Sequence, residues 1–533
     1  MEKIINYLED QYNSKAWEKS TLGEALDHWA KNYGDSIAII DNDKSYTYKT
    51  LLKDAQAYAM GFLKQGYKKG DKIVLQLSNC YDFVAIAFGM FKVGIVPIMA
   101  LPAHRAIELK GIFELSQAVA YIIQDRYLGY DYRELAREIK KDSSSLKDIF
   151  VIGDNEEFKS VKNLKVKSEK PFILPQIDHR ELALLLLSGG TTGIPKLIPR
   201  RHTDYLYVGK MTAKRCQMTD KSIYLAALPI AHNFPLGCPG LIGTLNVGGK
   251  VVMCQTTSPD EIIPLIEEQK VTITGLVPAM AVMCMEFINY DDSYDISSLK
   301  VLQIGGSVLD SITAEKIENV FGCKLQQIFG IAEGLICCTA LDDPDETVYN
   351  CQGKPISEMD EVIIVDENEN EVETGGYGEL IVRGPYTIFG YYNLPEINKE
   401  QVSANGYFRT GDKARKLENG NYQVAGRMKE LINRAGEKIT PSELEETLLK
   451  HDRIREAQVV GIRDKELGER ICAFLLKNNV TLSLDQVRVF LSQRGMATFK
   501  LPDQLIYVES WPLTSVGKIN KKQLKIIAEH KIS

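Results

Sequence analysis

A loop of small, hydroxylated and cationic residues, SGGTTGIPK from Ser188 to Lys196, carries the strongest chemical signal in the chain. Its glycines let backbone amides approach a ligand closely and adopt positive φ. Ser188, Thr191 and Thr192 offer hydroxyl donors, and Lys196 offers a cation. Most glycine-rich loops are only turns, but this set of donors suits a polyphosphate. It is not a Walker A loop, because Pro195 precedes the lysine and the apolar residues LIP follow it.

The segments around this loop predict the elements that position it. Its flanks, ALLLLS and KLIP, indicate two β-strands that the loop connects. Over most of the chain before Met359, short apolar runs alternate with helical patterns, which indicates parallel sheets covered by helices. After Met359, strand patterns and the turn signal Asn419–Gly420 predict a small β-barrel or an appended sheet.

The pattern changes again after Arg427, where a self-contained α+β unit begins. Its first helix is predicted to start with a capping box, with Thr440 as N-cap, Pro441 at N1 and Glu443 at N3. The junction lacks the glycine and serine of a flexible tether and is typical of a hinge. The predicted fold is a large α/β N-terminal domain, residues 1–428, with parallel sheets, helices and the small β-barrel, followed by a smaller mobile α+β C-terminal domain, residues 429–533.

Composition disfavours several classes of function. The chain has 533 residues, 44% of them hydrophobic and 25% charged, which is ordinary for a globular protein of more than one domain. The formal net charge of −7 gives no basic field that would favour nucleic acid as a partner. None of the ten cysteines is spaced as C-x-x-C or as a zinc site, so reduced thiols in the cytoplasm are expected.

One apolar segment, Phe83 to Leu101, could be mistaken for a membrane span. Lys92 lies near its centre, where a charge is costly in a bilayer, and Gly94 and Pro97 interrupt it. The segment instead predicts a buried helix followed by a buried strand. The N-terminus has early acidic residues and no apolar signal core, so we expect a cytoplasmic protein with no membrane partner.

The loop SGGTTGIPK resembles the phosphate loop of the adenylate-forming enzymes, a superfamily that includes acyl-CoA synthetases, nonribosomal-peptide adenylation domains and luciferases. Further motifs stand in that family's order along nearly the whole chain. They are GGS at 305–307, QIFGIAEG at 327–334, GELIVRGP, YFRTGD ending at Asp412, GRMKELINRAGEK from Gly426 and LTSVGKINKKQL around Lys518. The segments HNFPLGCPG and PKLIPRRHTDYLY are most similar to the stand-alone ligases that activate 2,3-dihydroxybenzoate or salicylate for siderophore assembly.

The resemblance implies a two-step reaction. A carboxylate and ATP, with Mg²⁺ bridging the phosphates, would give an acyl-adenylate and pyrophosphate. A benzoic acid is already ionised at neutral pH, so catalysis would come from charge neutralisation and alignment without a general base. The acyl group would then pass to the phosphopantetheine arm of an aryl carrier protein, or to free CoA if the protein is an aryl- or acyl-CoA ligase. A non-catalytic nucleotide-binding protein is a third hypothesis, less favoured because Lys518 and Glu333 are both present.

Matching the motifs implies roles residue by residue. Four residues are implied as catalytic: Lys518 between the substrate carboxylate and the α-phosphate, Glu333 at the metal, Lys196 at the β- and γ-phosphates, and His232 at the mouth of the acyl pocket. Asp412 would accept the ribose hydroxyls. The implied ATP-binding residues are Ser188, Gly189, Gly190, Thr191, Thr192, Gly193, Gly305, Gly306, Ser307, Ile328, Phe329, Gly330, Asp412 and Arg427.

The same matching implies where the aryl ring and the hinge lie. Lys429 would be the hinge about which the C-terminal domain rotates, bringing the RAGEK loop around Gly436 to the incoming thiol. Cys238 stands where 2,3-dihydroxybenzoate enzymes tend to have serine and salicylate enzymes cysteine. A thiol is the weaker partner for a ring 3-hydroxyl, which favours salicylate or another ring without a 3-hydroxyl. The implied substrate-binding residues are Asn233, Phe234, Cys238, Gly306 and Ile336, with Ile328 beside them.

Overall fold

The computed structural model describes residues 2–166, 174–188, 196–434, 437–464, 467–477, 481–494, 496–514 and 517–531. Several residues assigned to the phosphate loop and to the thiol-facing loop lie outside these ranges, namely Gly189, Gly190, Thr191, Thr192, Gly193 and Gly436.

Apolar strands build a large sheet whose central strands are parallel, as predicted. At both ends of this sheet the outermost strands run antiparallel to their neighbours. The inner strands are buried, which explains their near-continuous runs of Val, Ile and Leu. In spatial order the strands are Lys354–Pro355, Ile336–Cys338, Lys324–Gly330, Val301–Gly305, Ile273–Leu276, Ile223–Ala226, Lys250–Met253, Ile37–Asp41 and Lys44–Thr47.

A second sheet is parallel except at one edge. There, Leu197–Arg201 runs antiparallel to Leu182–Leu187, with Leu187 opposite Leu197. The predicted pair of strands on either side of the phosphate loop is therefore confirmed. In spatial order the strands are Leu197–Arg201, Leu182–Leu187, Val96–Met99, Lys72–Gln76, Ala120–Gln124, Asp148–Ile152 and Lys159–Ser160.

Helices pack against these two sheets through large apolar clusters. The predicted buried helix is confirmed as Tyr81–Val93, with the strand Val96–Met99 after it. The side chain of Lys92 is 2% exposed, and its Nζ donates to Asp27 Oδ1 at 2.8 Å. Within the described residues, no helix has the length and apolar character needed to cross a bilayer. The helices up to residue 401 are Glu2–Lys15, Leu22–Tyr33, Tyr48–Lys64, Tyr81–Val93, Ala106–Ser116, Tyr132–Asp142, His202–Arg215, Asn233–Gly237, Gly240–Asn246, Pro259–Gln269, Pro278–Tyr290, Ser311–Phe321, Asp345–Asn350 and Pro395–Gln401.

The strands after Met359 form an appended antiparallel sheet, and the alternative of a closed small β-barrel is wrong. A barrel needs its first and last strands to be hydrogen-bonded, and in the described part of the chain they are not. The last strand instead has a loop at its edge, where Tyr422 N donates to Gly353 O at 2.9 Å. The spatial order is Glu361–Val365, Gly378–Arg383, Phe408–Lys416 and Tyr422–Arg427.

The last part of the chain is the predicted α+β unit. Its sheet has an apolar cluster on each face, and both clusters consist only of residues after 431. The strand Gly468–Leu476 pairs with Ile432–Arg434, Ala457–Asp464 and Gln504–Val508. The remaining elements are the strand Glu437–Ile439 and the helices Pro441–Leu449, Leu484–Gln493 and Lys521–His530.

The predicted capping box of this unit does not form. Thr440 is the N-cap and Pro441 follows it, but the Thr440 side chain makes no capping hydrogen bond. Thr440 Oγ1 instead accepts a hydrogen bond from Lys413 Nζ at 3.0 Å, and Glu443 pairs with Lys500 at 2.6 Å. Both side chains of the predicted capping box therefore bind residues that are distant in the sequence.

Candidate active site

The two ends of the phosphate loop are tied together. Ser188 N donates to Lys196 O at 3.0 Å, and Lys196 N donates to Ser188 Oγ at 3.0 Å. These bonds extend the hairpin of the flanking strands. The Ser188 hydroxyl acts here as an acceptor, so it keeps its own proton for donation to a ligand.

Lys196 and Glu333 meet at a tyrosine from the appended region. Lys196 Nζ lies 4.4 Å from the centroid of the Tyr391 ring, and Tyr391 OH donates to Glu333 Oε1 at 2.8 Å. The Glu333 backbone is held as well, since Ile388 N donates to Glu333 O at 2.8 Å. The Lys196 ammonium group therefore faces the ring of Tyr391, and the Glu333 carboxylate is bound by the hydroxyl of the same side chain.

The C-terminal unit places Lys518 directly against Gly306, at the end of the strand Val301–Gly305. Gly306 has a φ of +90°, and a Cβ there would lie 3.0 Å from Lys518 Cε and 3.6 Å from its Nζ. Only glycine adopts this backbone conformation without strain and leaves this space. Two hydrogen bonds tie the Lys518 backbone to Thr514: Thr514 N donates to Lys518 O at 2.6 Å, and Lys518 N donates to Thr514 Oγ1 at 3.1 Å.

Polar contacts also join the C-terminal unit to the appended sheet. Lys413 donates to Thr440, as described above, and Ser442 Oγ donates to Ala425 O at 2.7 Å. These contacts hold the unit in the arrangement that puts Lys518 beside Gly306.

Asp412 is a buried carboxylate with one unused oxygen. The residue is 4% exposed, and its Oδ1 lies 3.0 Å from Arg427 Nε. Its Oδ2 is buried and has no hydrogen-bond partner among the described residues. Burial raises the pKa of Asp412 to about 6, although Arg427 acts in the opposite direction. A buried acceptor without a partner is costly unless a ligand donates to it, so a ligand hydroxyl fits this atom.

Cations are crowded at this site. Burial lowers the pKa of Lys518, and Arg427 lowers it further, while the carboxylates of the site oppose both effects. Burial likewise lowers the pKa of Lys196, and Lys429 adds to this shift. A polyanionic ligand would relieve the repulsion and favour the charged form of both lysines.

His232 begins the short helix Asn233–Gly237 and also lies near Lys518. Its Nδ1 accepts a hydrogen bond from Phe234 N at 3.3 Å, so its proton is on Nε2. Burial and, second, Lys518 lower the pKa of His232 to about 3. The ring is therefore neutral at physiological pH and offers an N–H donor, not a second cation.

Asn233 and Cys238 form a hydrogen-bonded pocket wall. Tyr205 OH donates to Asn233 Oδ1 at 3.1 Å, and Asn233 Nδ2 donates to Cys238 Sγ at 3.5 Å. Both amide atoms of Asn233 are thus oriented. A narrow cavity beside this wall is lined by Met99, Leu101, Leu186, Leu187, Ala231, His232, Asn233 and Ala332.

The Phe234 ring packs on two glycines of the large sheet. A Cβ on Gly275 would lie 2.9 Å from Phe234 Cζ, and one on Gly305 would lie 3.4 Å from Phe234 Cε1. Ile328 packs against the same face of Gly305, whereas Ile336, on the strand that follows, is paired with Gly330. The tip of the Phe234 ring therefore lies close to the backbone of two neighbouring strands.

The structure brings two groups of predicted residues together. Lys518 lies against Gly306 and interacts with Glu333, Asp412 and Arg427, and Lys196 interacts with the same Glu333. Of the predicted pocket residues, His232 lies near Lys518, and Asn233, Phe234 and Cys238 follow it on one short helix and its C-cap. Of the other predicted residues, Ser307 and Lys429 are exposed, Phe329 is half-buried, and Gly330 ends its strand. The individual roles of all these residues stay predictions.

Three residues of the site were missed from the sequence: Tyr391, Tyr205 and Arg200. Arg200 is 1% exposed, and its Nη1 donates at 2.8 Å to the carbonyl oxygen of Ala332, next to the predicted metal-side glutamate. Arg200 stands within the quoted segment PRRH, but a local pattern cannot distinguish a buried arginine from a solvated one. The hydrogen bonds that place these three side chains in the site join residues 28, 58 and 132 positions apart.

Comparison with protein families then identifies the chain. Residues 26–392 match the model of the AMP-binding enzyme family, and residues 443–518 match the AMP-binding enzyme C-terminal domain. The chain belongs to the AMP-binding enzyme family. Enzymes of this family use ATP, so the predicted superfamily, the enzyme class and the ATP cofactor are confirmed.

This AMP-binding enzyme is similar over almost its whole length to characterised ligases. It is 43% identical over 516 residues to the 2,3-dihydroxybenzoate-AMP ligase of Bacillus subtilis (strain 168), covering 97% of this chain and 95% of the relative. It is 38% identical over 513 residues to the salicyl-AMP ligase / salicyl-S-ArCP synthetase of Mycobacterium tuberculosis, covering 95% and 91%. Among solved structures, the apo structure of Mycobacterium smegmatis MbtA matches with a TM-score of 0.75 and 40% identity, covering 98% of this chain and 97% of that one.

Proposed function

We propose that this AMP-binding enzyme activates salicylate, in preference to 2,3-dihydroxybenzoate, as the aryl-adenylate and transfers the aryl group to the phosphopantetheine thiol of an aryl carrier protein. The observation that carries the proposal is the position of Lys518, which reaches from the C-terminal unit to Gly306, between the Asp412 carboxylate and the Asn233 pocket. The names of the relatives from Bacillus subtilis and Mycobacterium tuberculosis support the aryl-acid class and the carrier.

In the first step the aryl carboxylate attacks the α-phosphorus of ATP, and pyrophosphate leaves. The carboxylate and the phosphate are both anionic, so the barrier is largely electrostatic. Lys518 would neutralise the two groups as they approach, and Lys196 would bind the leaving pyrophosphate. The neutral His232 would donate from Nε2 at the mouth of the pocket, without adding a further charge.

The ribose and the metal have matching donors and acceptors. Asp412 Oδ2 would accept from a ribose hydroxyl, with Arg427 holding the other carboxylate oxygen. Glu333 would hold Mg²⁺, because a carboxylate that accepts one hydrogen bond at Oε1 keeps further lone pairs for a cation. When bound, Mg²⁺ supplies charge neutralisation on the phosphate oxygens.

In the second step the C-terminal domain would turn away from the nucleotide. We place the domain boundary between residues 428 and 429 and the hinge at Lys429, which is exposed in a short turn after the last strand of the appended sheet. Rotation would withdraw Lys518 and open a path for the thiol of the phosphopantetheine arm. The thiol attacks the acyl carbon, and AMP leaves.

Exchange of labelled pyrophosphate into ATP tests the first step. With a panel of substituted benzoates we expect exchange with 2-hydroxylated acids and little with benzoate itself, because the Asn233 amide, held by Tyr205 and Cys238, keeps a second N–H and a second oxygen lone pair for a 2-hydroxyl. Loading of a phosphopantetheinylated aryl carrier protein, compared with free CoA at equal concentration, tests the second. No exchange with any aryl acid contradicts the proposal, and aryl-CoA release as fast as carrier loading makes the protein an aryl-CoA ligase.

Replacing Cys238 with serine tests the ring preference. The Cys238 thiol is buried at 1% exposure against Asn233, and burial raises its pKa to about 12, so it stays a neutral, weakly hydrogen-bonding thiol. A hydroxyl would offer a better partner to a ring 3-hydroxyl, so we expect Cys238→Ser to raise the ratio of kcat/KM for 2,3-dihydroxybenzoate over salicylate about 10-fold. The buried Cys472 of the C-terminal sheet gives the matched control, Cys472→Ser. An unchanged ratio in Cys238→Ser contradicts the assignment.

A further inference from the structure

Tyr391 lies between the two charged groups that face the phosphates, and no motif assigns it a role. Its hydroxyl donates to Glu333 Oε1 at 2.8 Å, and its ring lies 4.4 Å from Lys196 Nζ. The ring face is the electron-rich part of the side chain and attracts the ammonium group. One side chain thus orients a carboxylate by its polar end and a cation by its apolar face.

The backbone of Tyr391 is fixed by a single amide side chain. Tyr391 N donates to Asn398 Oδ1 at 2.7 Å, and Asn398 Nδ2 donates to Tyr391 O at 2.9 Å. Asn398 can approach because residue 390 is a glycine, where a Cβ would lie 2.7 Å from Asn398 Cγ. The ring also packs edge-on against Phe408, with 5.9 Å between ring centroids. The side chain is therefore held rigidly beside the appended sheet, and 7% of the residue is exposed.

The Tyr391 hydroxyl is the donor in its bond to Glu333, because a carboxylate oxygen accepts the hydrogen bond. The bond uses one oxygen of the carboxylate and leaves the other for a ligand.

We propose that Tyr391 is a positioning residue for the triphosphate end of the site: its hydroxyl orients Glu333 toward Mg²⁺, and its ring holds Lys196 in place for the β- and γ-phosphates. This inference rests on the proposed ATP-dependent function. It gives the hydroxyl and the ring separate tasks, which separate variants can test.

Two variants of Tyr391 divide these tasks. Tyr391→Phe keeps the ring and removes the bond to Glu333, whereas Tyr391→Leu removes both contacts. The matched control is Tyr392→Phe, because the Tyr392 ring packs against a different apolar cluster and faces Lys72. Thermal melting of all three proteins checks folding, and Tyr391→Phe keeps the test decisive if Tyr391→Leu does not fold.

Calorimetric binding of ATP, with and without Mg²⁺ and without any aryl acid, is the main measurement. For Tyr391→Phe we expect unchanged affinity for metal-free ATP and a loss of about 10-fold in the enhancement by Mg²⁺, the size typical when a partner of a metal ligand is removed. For Tyr391→Leu we expect weaker binding of metal-free ATP as well. In pyrophosphate exchange, the Mg²⁺ concentration for half-maximal rate should rise by a similar factor in Tyr391→Phe.

Two results would overturn the inference. One is wild-type Mg²⁺ dependence in Tyr391→Phe, and the other is an equal loss of ATP affinity with and without Mg²⁺, which would indicate only a structural role. Because binding is measured without aryl acid, failure of the proposed substrate leaves this test intact. Mg²⁺-enhanced ATP binding together with no exchange on any aryl acid would reject the proposed function and keep the inference.

Discussion

Replacing Lys518 with alanine is expected to lower the rate of aryl-adenylate formation by about 10²–10³-fold, the usual effect of removing one charge-stabilising donor from a transition state. Lys518 is the cation that lies against Gly306, near His232 and the Asp412 carboxylate. Without it, the attacking carboxylate and the α-phosphate would meet without a shared counter-charge. Pyrophosphate exchange with salicylate measures the loss.

The same variant separates the two half-reactions. If Lys518 leaves the site before the thiol attacks, Lys518→Ala should load the carrier protein from chemically prepared salicyl-AMP at close to the wild-type rate. Lys522→Ala is the control, because Lys522 is an exposed lysine at the start of the helix Lys521–His530, which follows Lys518 in the chain. Adenylate formation at the wild-type rate in Lys518→Ala would falsify the proposed chemistry.

Replacing Asp412 with asparagine should weaken ATP binding and stabilise the free protein. The carboxylate has a buried oxygen without a partner among the described residues, and an amide in its place would lose an ionic acceptor for a ribose hydroxyl. We expect KM for ATP to rise by about 10-fold or more, as for other hydrogen bonds to charged groups. The preference for ATP over 2′-deoxy-ATP or 3′-deoxy-ATP should shrink in parallel.

The effect on stability follows from the pKa of Asp412. Burial raises it to about 6 in the folded protein, above the ordinary value of 3.8, so stability falls as the pH rises from about 3.8 to about 6, and the full cost of ionisation is present above that range. Asp412→Asn should therefore raise the free energy of unfolding by about 1–3 kcal/mol at pH 8 and by less at pH 5. Urea denaturation at both pH values checks this, with the exposed Asp342→Asn as control. A destabilised Asp412→Asn with unchanged KM for ATP would reject both assignments.

Local sequence patterns were sufficient where a rule of packing decides the structure. Four leucines before Ser188 and an apolar run after Lys196 could only be strands at the base of a loop, and the structure pairs them. The segment with Lys92 was recognised as a buried helix, because a cation at its centre needs a protein partner, and Asp27 provides one.

Where a prediction from the sequence was wrong or a residue was missed, contacts between residues distant in the chain determine the structure. Thr440 and Glu443 have the spacing of a capping box, yet in the structure their side chains bind Lys413 and Lys500 instead of each other's backbone. Tyr391 reaches Glu333 and Lys196 only through the fold, so no pattern within a few residues of it could reveal the contact. The closed barrel was wrong for the same reason, since closure depends on which edges meet and not on the strands themselves.

The bonds between the appended sheet and the C-terminal unit have a consequence for turnover. Two hydrogen bonds join them: Lys413 Nζ donates to Thr440 Oγ1 at 3.0 Å, and Ser442 Oγ donates to Ala425 O at 2.7 Å. Bulk water can replace each bond at a net cost of about 1 kcal/mol, so breaking these two bonds when the C-terminal unit turns away costs little. The ligand bound between the C-terminal unit and the rest of the chain, and not these two hydrogen bonds, would then determine how long the C-terminal unit stays in this position.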